Sequence, residues 1–443
     1  MEPEGRYANF VIRMPDGTVK MINPLTGREA WCVPGRSSRP ISNELPAGAK
    51  TLVAHVPEDY CNFCETRYEN TPPEKDRLVA RDGTLVSMPD VPASKLHESV
   101  AEFRRIPNLF EIITYEYWAD NYGYKLSPKN ARRMERYLSE EAGRRHAIGT
   151  IDLKLRLSGR RPEDIEQVFE SEKLRMAEAF FGGSHELIVA RRHYKPGAAY
   201  DVELASSGEM TPEEHFHYTR ATINAIQDIY LQNRYVRYVV TFQNWLRPAG
   251  ASFDHLHKQL VGLDAWGTFI EREAQVVREN NNVYNENVVN FAAYQNRIIA
   301  ENDQAVLFAD IGHRYPTLTI YSKSRNLRPW QHTPEEVRGV SDLVHAAHAA
   351  QGSQISCNEE WYYAPRESLD RIPWHVLIKW RVNNPAGFEG GTAIYVNPIG
   401  PFDLRDAVVP RLYELRDRGR LGGFRIAEEC SCEPNSLRYL DRP

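Results

Sequence analysis

The chain has 443 residues, 42% of them hydrophobic and 26% charged, with a formal net charge of −5. That balance is ordinary for a folded globular protein. It excludes a general nucleic-acid binder or membrane-surface protein, and no apolar run nears the ~20 residues of a membrane span.

The opening Met1-Glu2-Pro3-Glu4-Gly5 has neither the basic patch nor the apolar core of a secretory signal. Six cysteines are too few for a disulfide scaffold here, so a reducing cytoplasm is expected. Tyr7 to Arg13 predicts a first strand, ended by the turn Pro15-Asp16-Gly17. A second strand through Trp31-Cys32-Val33 follows the turn Asn23-Pro24-Leu25-Thr26-Gly27. Pro34 to Pro40 must be loop, since Pro and Gly break both periods, and Cys61-Asn62-Phe63-Cys64 lies on another. From about Asp120 to Phe180 the pattern turns helical, with helices expected over Pro128 to Leu138 and Pro162 to Ala179.

Beyond this stretch, Leu187 to Ala190 and Tyr235 to Phe242 predict strands. Between them Thr211-Pro212-Glu213-Glu214 forms a capping box that opens a helix to about Tyr230. The order recurs: strand at Leu318 to Tyr321, helix opened by Thr333-Pro334-Glu335-Glu336, strand at Trp374 to Trp380. The recurrence points to two structurally related halves.

Chemistry concentrates between Asn244 and Gln259. A Gly-containing loop, Gly250-Ala251-Ser252, leads into His255-Leu256-His257-Lys258-Gln259. Alternation puts His255, His257 and Gln259 on one face of a strand. Backbone N–H groups of Gly250, Ala251 and Ser252, with the Ser252 hydroxyl, are expected to hold phosphate oxygens. An imidazole can attack phosphorus and leave again, which suits His257 as a nucleophile. Lys258 is expected either in solvent or turned inward onto phosphate. Cys61 and Cys64 supply half of a structural zinc site, which needs four ligands.

These segments resemble the galactose-1-phosphate uridylyltransferases, a branch of the histidine-triad superfamily. The resemblance runs through Asn23-Pro24-Leu25-Thr26-Gly27, Arg36-Ser37-Ser38-Arg39-Pro40, Cys61-x-x-Cys64, Arg105 to Phe110, the Asn244 to Gln259 segment, Glu271-Arg272-Glu273 and Pro385 to Thr392 with Asn397-Pro398. It implies an α+β fold of two histidine-triad-like halves, 1–265 and 266–443, each an antiparallel sheet backed by helices. A helical insertion at about 112–180 departs from the family pattern.

The resemblance further implies that His257 becomes nucleotidylated, that Gln259, Ser252 and Asn244 contact the phosphates, and that Asn108 contacts the nucleotide. Arg36 and Arg39 would neutralise an incoming sugar phosphate, because the guanidinium fork matches phosphate. Glu389 would read sugar hydroxyls. His193 and His255 would complete a structural zinc site with Cys61 and Cys64; Cys430 and Cys432 are the rival ligands. The family's second metal site lacks its full donor set here. Glu273 and His375 remain, but Leu377 replaces a histidine, so an empty or altered site with Glu273 in a structural role is expected. His185, at the start of the strand leading to His193, could approach the site, though a packed, hydrogen-bonded histidine is the more common outcome.

The implied activity is ping-pong transfer of a nucleoside monophosphate from a nucleotide sugar to a sugar 1-phosphate, part of carbohydrate metabolism. Two rivals stay open: a nucleoside-diphosphate-sugar or dinucleotide phosphorylase, and an inactive zinc-stabilised nucleotide-binding protein. A cytoplasmic homodimer without nucleic-acid or membrane partners is expected.

Overall fold

The computed structural model describes residues 10–35, 49–52 and 61–441. Its strands are β1 (Val11–Arg13), β2 (Val19–Ile22), β3 (Glu29–Cys32), β4 (Asp76–Arg81), β5 (Thr84–Pro89), β6 (Phe103–Pro107), β7 (His185–Ala190), β8 (Tyr238–Trp245), β9 (His257–Leu263), β10 (Ile298–Glu301), β11 (Ala305–Ala309), β12 (Thr317–Ser322), β13 (Cys357–Tyr362), β14 (His375–Trp380), β15 (Ile394–Val396) and β16 (Arg425–Ile426). The architecture is α+β.

Among the described residues, twelve strands form one sheet in the order β16-β10-β11-β12-β14-β13-β8-β9-β7-β6-β4-β5. All its pairs are antiparallel. Outward from the β8–β13 pair, the next neighbours are β9 and β7 on one side and β14 and β12 on the other. A small sheet, β1-β2-β3-β15, takes up the remaining strands, with β15 parallel to β3.

One face of the large sheet is closed by helices. Pro212–Gln232 lies on β6 to β9, Pro334–Gln351 lies on β11, β12 and β14, and the two helices pack together. Both open with the expected capping box, from Thr211 and from Thr333. Each box satisfies N–H groups that the first helical turn leaves without partners. The core runs unbroken beneath both helices, from Ile188 and Leu260 to Ile320 and Ile378.

The stretch between β6 and β7 is helical, as expected, and builds its own small core from Tyr137, Ile151, Leu155, Phe180 and Phe181. The helix expected over Pro162 to Ala179 is a correction. It is broken into Pro162–Glu166 and Glu170–Met176. Phe169 takes extended backbone at φ −60°, ψ 142° and caps the second piece, and its side chain is exposed. Among the described residues, no helix is long and apolar enough to cross a membrane.

Candidate active site and metal centre

β8 ends in a tight turn. Leu246 and Gly250 both have positive φ, at 65° and 90°, flanking the short helical turn Arg247–Ala249. Glycine at 250 meets the left-handed requirement without a Cβ clash. The turn uses its own donors: the Gly250 N–H donates to the Arg247 carbonyl at 2.9 Å and the Ala251 N–H to the Leu246 carbonyl at 3.3 Å. This corrects the expectation that these two N–H groups stand free for phosphate. Ser252 is exposed beyond the turn.

β9 then begins at His257. Phe242 pairs with Gln259 across β8 and β9, so alternation carries Asn244 and His257 onto the same face. β7 pairs Leu187 with Gln259 and Val189 with His257. The sheet face opposite the helices therefore collects His257, Gln259 and Asn244. Asn244 Oδ1 accepts from Asn358 Nδ2 at 2.7 Å, and Asn358 Oδ1 accepts from Arg381 at 2.8 Å.

His257 is buried, and its Nδ1 lies 2.7 Å from the His255 carbonyl oxygen. A carbonyl can only accept, so Nδ1 carries the proton and Nε2 keeps its lone pair. Burial pulls the His257 pKa down to about 4, against the opposing pull of that hydrogen bond. The imidazole is thus neutral and nucleophilic at Nε2 near pH 7. Phe63 packs edge-on against it, with ring centroids 5.4 Å apart.

His185 is buried and hydrogen-bonded, and it also reaches Gln259. The Ile112 N–H donates to its Nδ1 at 3.0 Å, which leaves the proton on Nε2. That Nε2 donates to Gln259 Oε1 at 3.2 Å; Asn108 Nδ2, itself a donor, lies 2.9 Å from it without accepting its proton. The Gln259 carbonyl is thereby occupied, which leaves its amide N–H groups as the donors on this face. Burial lowers the His185 pKa to about 4, which keeps the ring neutral. The signal missed in the sequence is long-range: His185 and Gln259 are 74 residues apart, and only the β7–β9 register unites them.

Lys258 departs from both fates expected of it. It points to the helix face, fully buried, with Nζ 2.5 Å from Glu359 Oε1. Glu359 also accepts from Trp361 Nε1 at 2.6 Å and lies 2.8 Å from His348 Nε2. The pair spans β9, β8 and β13 beneath the site.

The four expected zinc ligands do converge. Cys61, Cys64, His193 and His255 present donor atoms all within 4.8 Å of one another. Sγ of Cys61 and Cys64 are 3.7 Å apart, Cys61 Sγ is 3.3 Å from His255 Nδ1, and Cys64 Sγ is 3.5 Å from His193 Nδ1. A tetrahedron with Zn–S ~2.3 Å and Zn–N ~2.05 Å has edges of about 3.8 and about 3.6 Å. The cluster therefore fits a tetrahedral ion. His255 also carries its proton on the far nitrogen, since Nε2 donates to the Ala190 carbonyl at 2.6 Å. Its Nδ1 lone pair faces the sulfurs. Hydrogen bonding from Cys61 and the neighbouring histidines pulls the Cys64 thiol below its usual range, toward the thiolate that binds metal. The rivals are elsewhere: Cys430 Sγ meets the Arg425 carbonyl at 3.6 Å.

Glu273 accepts from the Tyr284 hydroxyl at 2.6 Å and lies 3.7 Å from His375 Nε2. The Glu389 carboxylate accepts from the Ala386 N–H at 2.8 Å, capping Gly387–Thr392. Arg36 and Arg39 lie outside the described residues.

A profile of the family described as "Domain of unknown function (DUF4921)" matches residues 14–439. No curated protein sequence matches. Among solved structures, an ADP-glucose phosphorylase from Arabidopsis thaliana with bound ADP-glucose is similar at TM-score 0.54 and 17% identity, over 88% of this chain and 98% of that one. A GalT-like protein from Arabidopsis thaliana is similar at TM-score 0.54 and 16% identity over the same shares. At such identities the likeness is one of fold.

Proposed function

The chain belongs to the DUF4921 family and has a GalT-like histidine-triad fold, and from that premise we propose that it is a nucleotidyltransferase working through a covalent nucleotidyl-His257. The observation that carries the reading is the His257 Nδ1–H bond to the His255 carbonyl, which aims an unprotonated Nε2 along a face shared with Gln259 and Asn244. In the first step Nε2 attacks the α-phosphorus of a nucleoside-diphosphate sugar. The N–P bond forms and the P–O bond to the sugar phosphate breaks, so the leaving group departs as a phosphate monoester. In the second step a phosphate oxygen of the acceptor, a sugar 1-phosphate, attacks that phosphorus and frees His257.

Asn244, Ser252 and the Gln259 amide donate to the charge that grows on the phosphoryl oxygens, with Arg36 and Arg39 on the sugar-phosphate side. Asn108, beside His185, is assigned to the nucleotide, and Gly250 shapes the turn that presents Ser252. Glu389 is assigned to sugar hydroxyls. Cys61, Cys64, His193 and His255 would hold zinc, which would supply structural cross-linking between the Cys61–Cys64 loop and the ledge that carries His257.

The same ledge recurs in the other half. His375 Nδ1 donates to the Pro373 carbonyl at 2.9 Å, again two residues back, on a strand that follows a capping-box helix. This supports two related halves, 1–265 and 266–443, the second holding a site without full machinery. The reading also includes a cytoplasmic homodimer.

Incubation with donor labelled in the α-phosphate is the test. Acid-labile label on His257, lost on adding acceptor, is expected; label that survives His257→Ala, with activity retained, sinks the proposal. Phosphorolysis is the second reading, favoured by the neighbour whose name records it. Release of the nucleotide by inorganic phosphate in place of sugar 1-phosphate separates the two.

A further inference from the structure

A cavity of about 160 Å³ lies on the helix face of the large sheet. Its floor is Leu78, Leu85, Phe103 and Ile188, contributed by β4 to β7. Its wall is one side of the helix Pro212–Gln232, where His217, Arg220 and Asn224 recur at helical spacing. Ile188 pairs with Lys258, which points to the helices, so the cavity and His257 lie on opposite faces of the sheet.

Strand register gives the cavity two ends. Asp76 pairs with Arg105, and two residues on, Leu78 pairs with Phe103 and Ser87. Asp228 of the helix accepts from Arg105 at 2.8 Å, so the C-terminal part of the helix sits over the Asp76 end. Phe103 stacks on Tyr218 with ring centroids 5.3 Å apart, so His217 and Arg220 sit over the other end.

Each end carries a charge that the protein leaves without an ion pair. The Asp76 carboxylate accepts from the Ser87 hydroxyl at 2.8 Å, and the Arg105 guanidinium opposite it is spent on Glu186 and Asp228. Burial raises the Asp76 pKa, against the pull of Ser87 and Arg105. Arg220 is exposed and stacks on Phe216, 5.6 Å from the ring centroid, and among the described residues no carboxylate pairs with it. His217 beside it is held by Glu213 at 3.1 Å.

We infer that this cavity binds a linear ω-amino carboxylate, its ammonium on Asp76, its methylenes along Leu78, Phe103 and Ile188, and its carboxylate on Arg220. Two residues of strand cover ~6.6 Å and four of helix ~6 Å, which sets the spacing between the two charges. A chain of several methylenes spans that distance, and the apolar floor takes the methylenes out of water. A simple amine meets repulsion at Arg220, and a simple carboxylate meets it at Asp76. The site is independent of nucleotidyl transfer at His257.

Calorimetric titration of the full chain tests it. The probes are 6-aminohexanoate, hexylamine, hexanoate and β-alanine. The first is expected to bind about tenfold or more tighter than any of the other three, since each of them lacks one charge or the span. Asp76→Asn keeps the Ser87 bond and is expected to weaken 6-aminohexanoate by about tenfold while leaving hexanoate no weaker. Arg220→Gln, at an exposed position where folding is not at stake, is expected to weaken it by a similar factor while leaving hexylamine no weaker. Binding of 6-aminohexanoate no tighter than hexylamine or hexanoate, or an unchanged affinity in Arg220→Gln, overturns the inference. His257→Ala is expected to bind 6-aminohexanoate as the parent chain does, so loss of the covalent label and loss of this site are separate outcomes.

Discussion

The His257 imidazole donates from Nδ1 to the carbonyl oxygen of His255, 2.7 Å away. His255 meanwhile turns its own Nδ1 toward Cys61 and Cys64. The residue that joins the Cys61/Cys64/His193 cluster therefore also sets the tautomer of His257, the proposed nucleophile. Any disturbance of the cluster reaches His257 through one carbonyl.

Metal content and activity should fall together. Cys64→Ser is expected to remove close to one zinc per chain and to lower turnover by about 10–100-fold, the range for lost metal-site support. The Cys430→Ser/Cys432→Ser double variant is expected to keep both. Elemental analysis alongside rate measurement checks this, and full activity in a metal-free Cys64→Ser protein would break the link.

Gln259 is expected to set the lifetime of the covalent intermediate. Its carbonyl is held by His185 Nε2–H at 3.2 Å, which leaves only amide donors for the substrate. Gln259→His introduces a group able to exchange protons with water and is expected to raise the hydrolysis rate of nucleotidyl-His257. His185→Leu frees the Gln259 amide and is expected to lower kcat by about tenfold, about 1.4 kcal/mol, with a smaller change in KM. Chase of labelled enzyme into buffer with and without acceptor gives both rates.

The Lys258–Glu359 pair predicts a non-additive stability cycle. Both side chains are fully buried. Desolvation pushes the Lys258 pKa down, and the Lys258 ammonium, opposing desolvation, holds Glu359 far below the usual carboxylate range. Lys258→Met strands a buried carboxylate and is expected to cost about 3–5 kcal/mol. Adding Glu359→Gln is expected to return part of that loss. Urea denaturation of the singles and the double measures the coupling; simple additivity would contradict the geometry.

Acid should destabilise the protein in two stages. His185 and His345 are drawn down to about 4 by burial, from 6.5. The unfolded chain binds these protons first, so stability is full above about pH 6.5 and is lost as pH falls toward 4, by up to about 1.4 kcal/mol per unit of each shift. Glu186, buried against Arg105 and Lys75 and lowered to about 2, adds a loss below about pH 4.5. Melting temperatures from pH 8 to 3.5 check the window, and His345→Gln is expected to flatten its upper part.

Local signals carried much of this protein. The capping boxes at Thr211 and Thr333, the strand–helix–strand recurrence and the His255-x-His257-x-Gln259 alternation are short-range facts, written in neighbouring residues. They pointed to the proposed class of chemistry and to two of the four residues of the Cys/His cluster, and the resemblance they carried supplied the other two. The same locality explains the errors. The broken helix near Phe169 and the self-satisfied turn at Gly250 depend on backbone geometry that charge and Pro/Gly patterns describe only loosely.

What remained belonged to the tertiary structure because it depends on register between distant strands. Pairing β7 with β9 brought His185 to Gln259. Pairing β8 with β13 carried Glu359 beneath Lys258 and Asn358 beside Asn244. Alternation along one strand says which side chains share a face; only the hydrogen-bonded neighbour decides what that face meets.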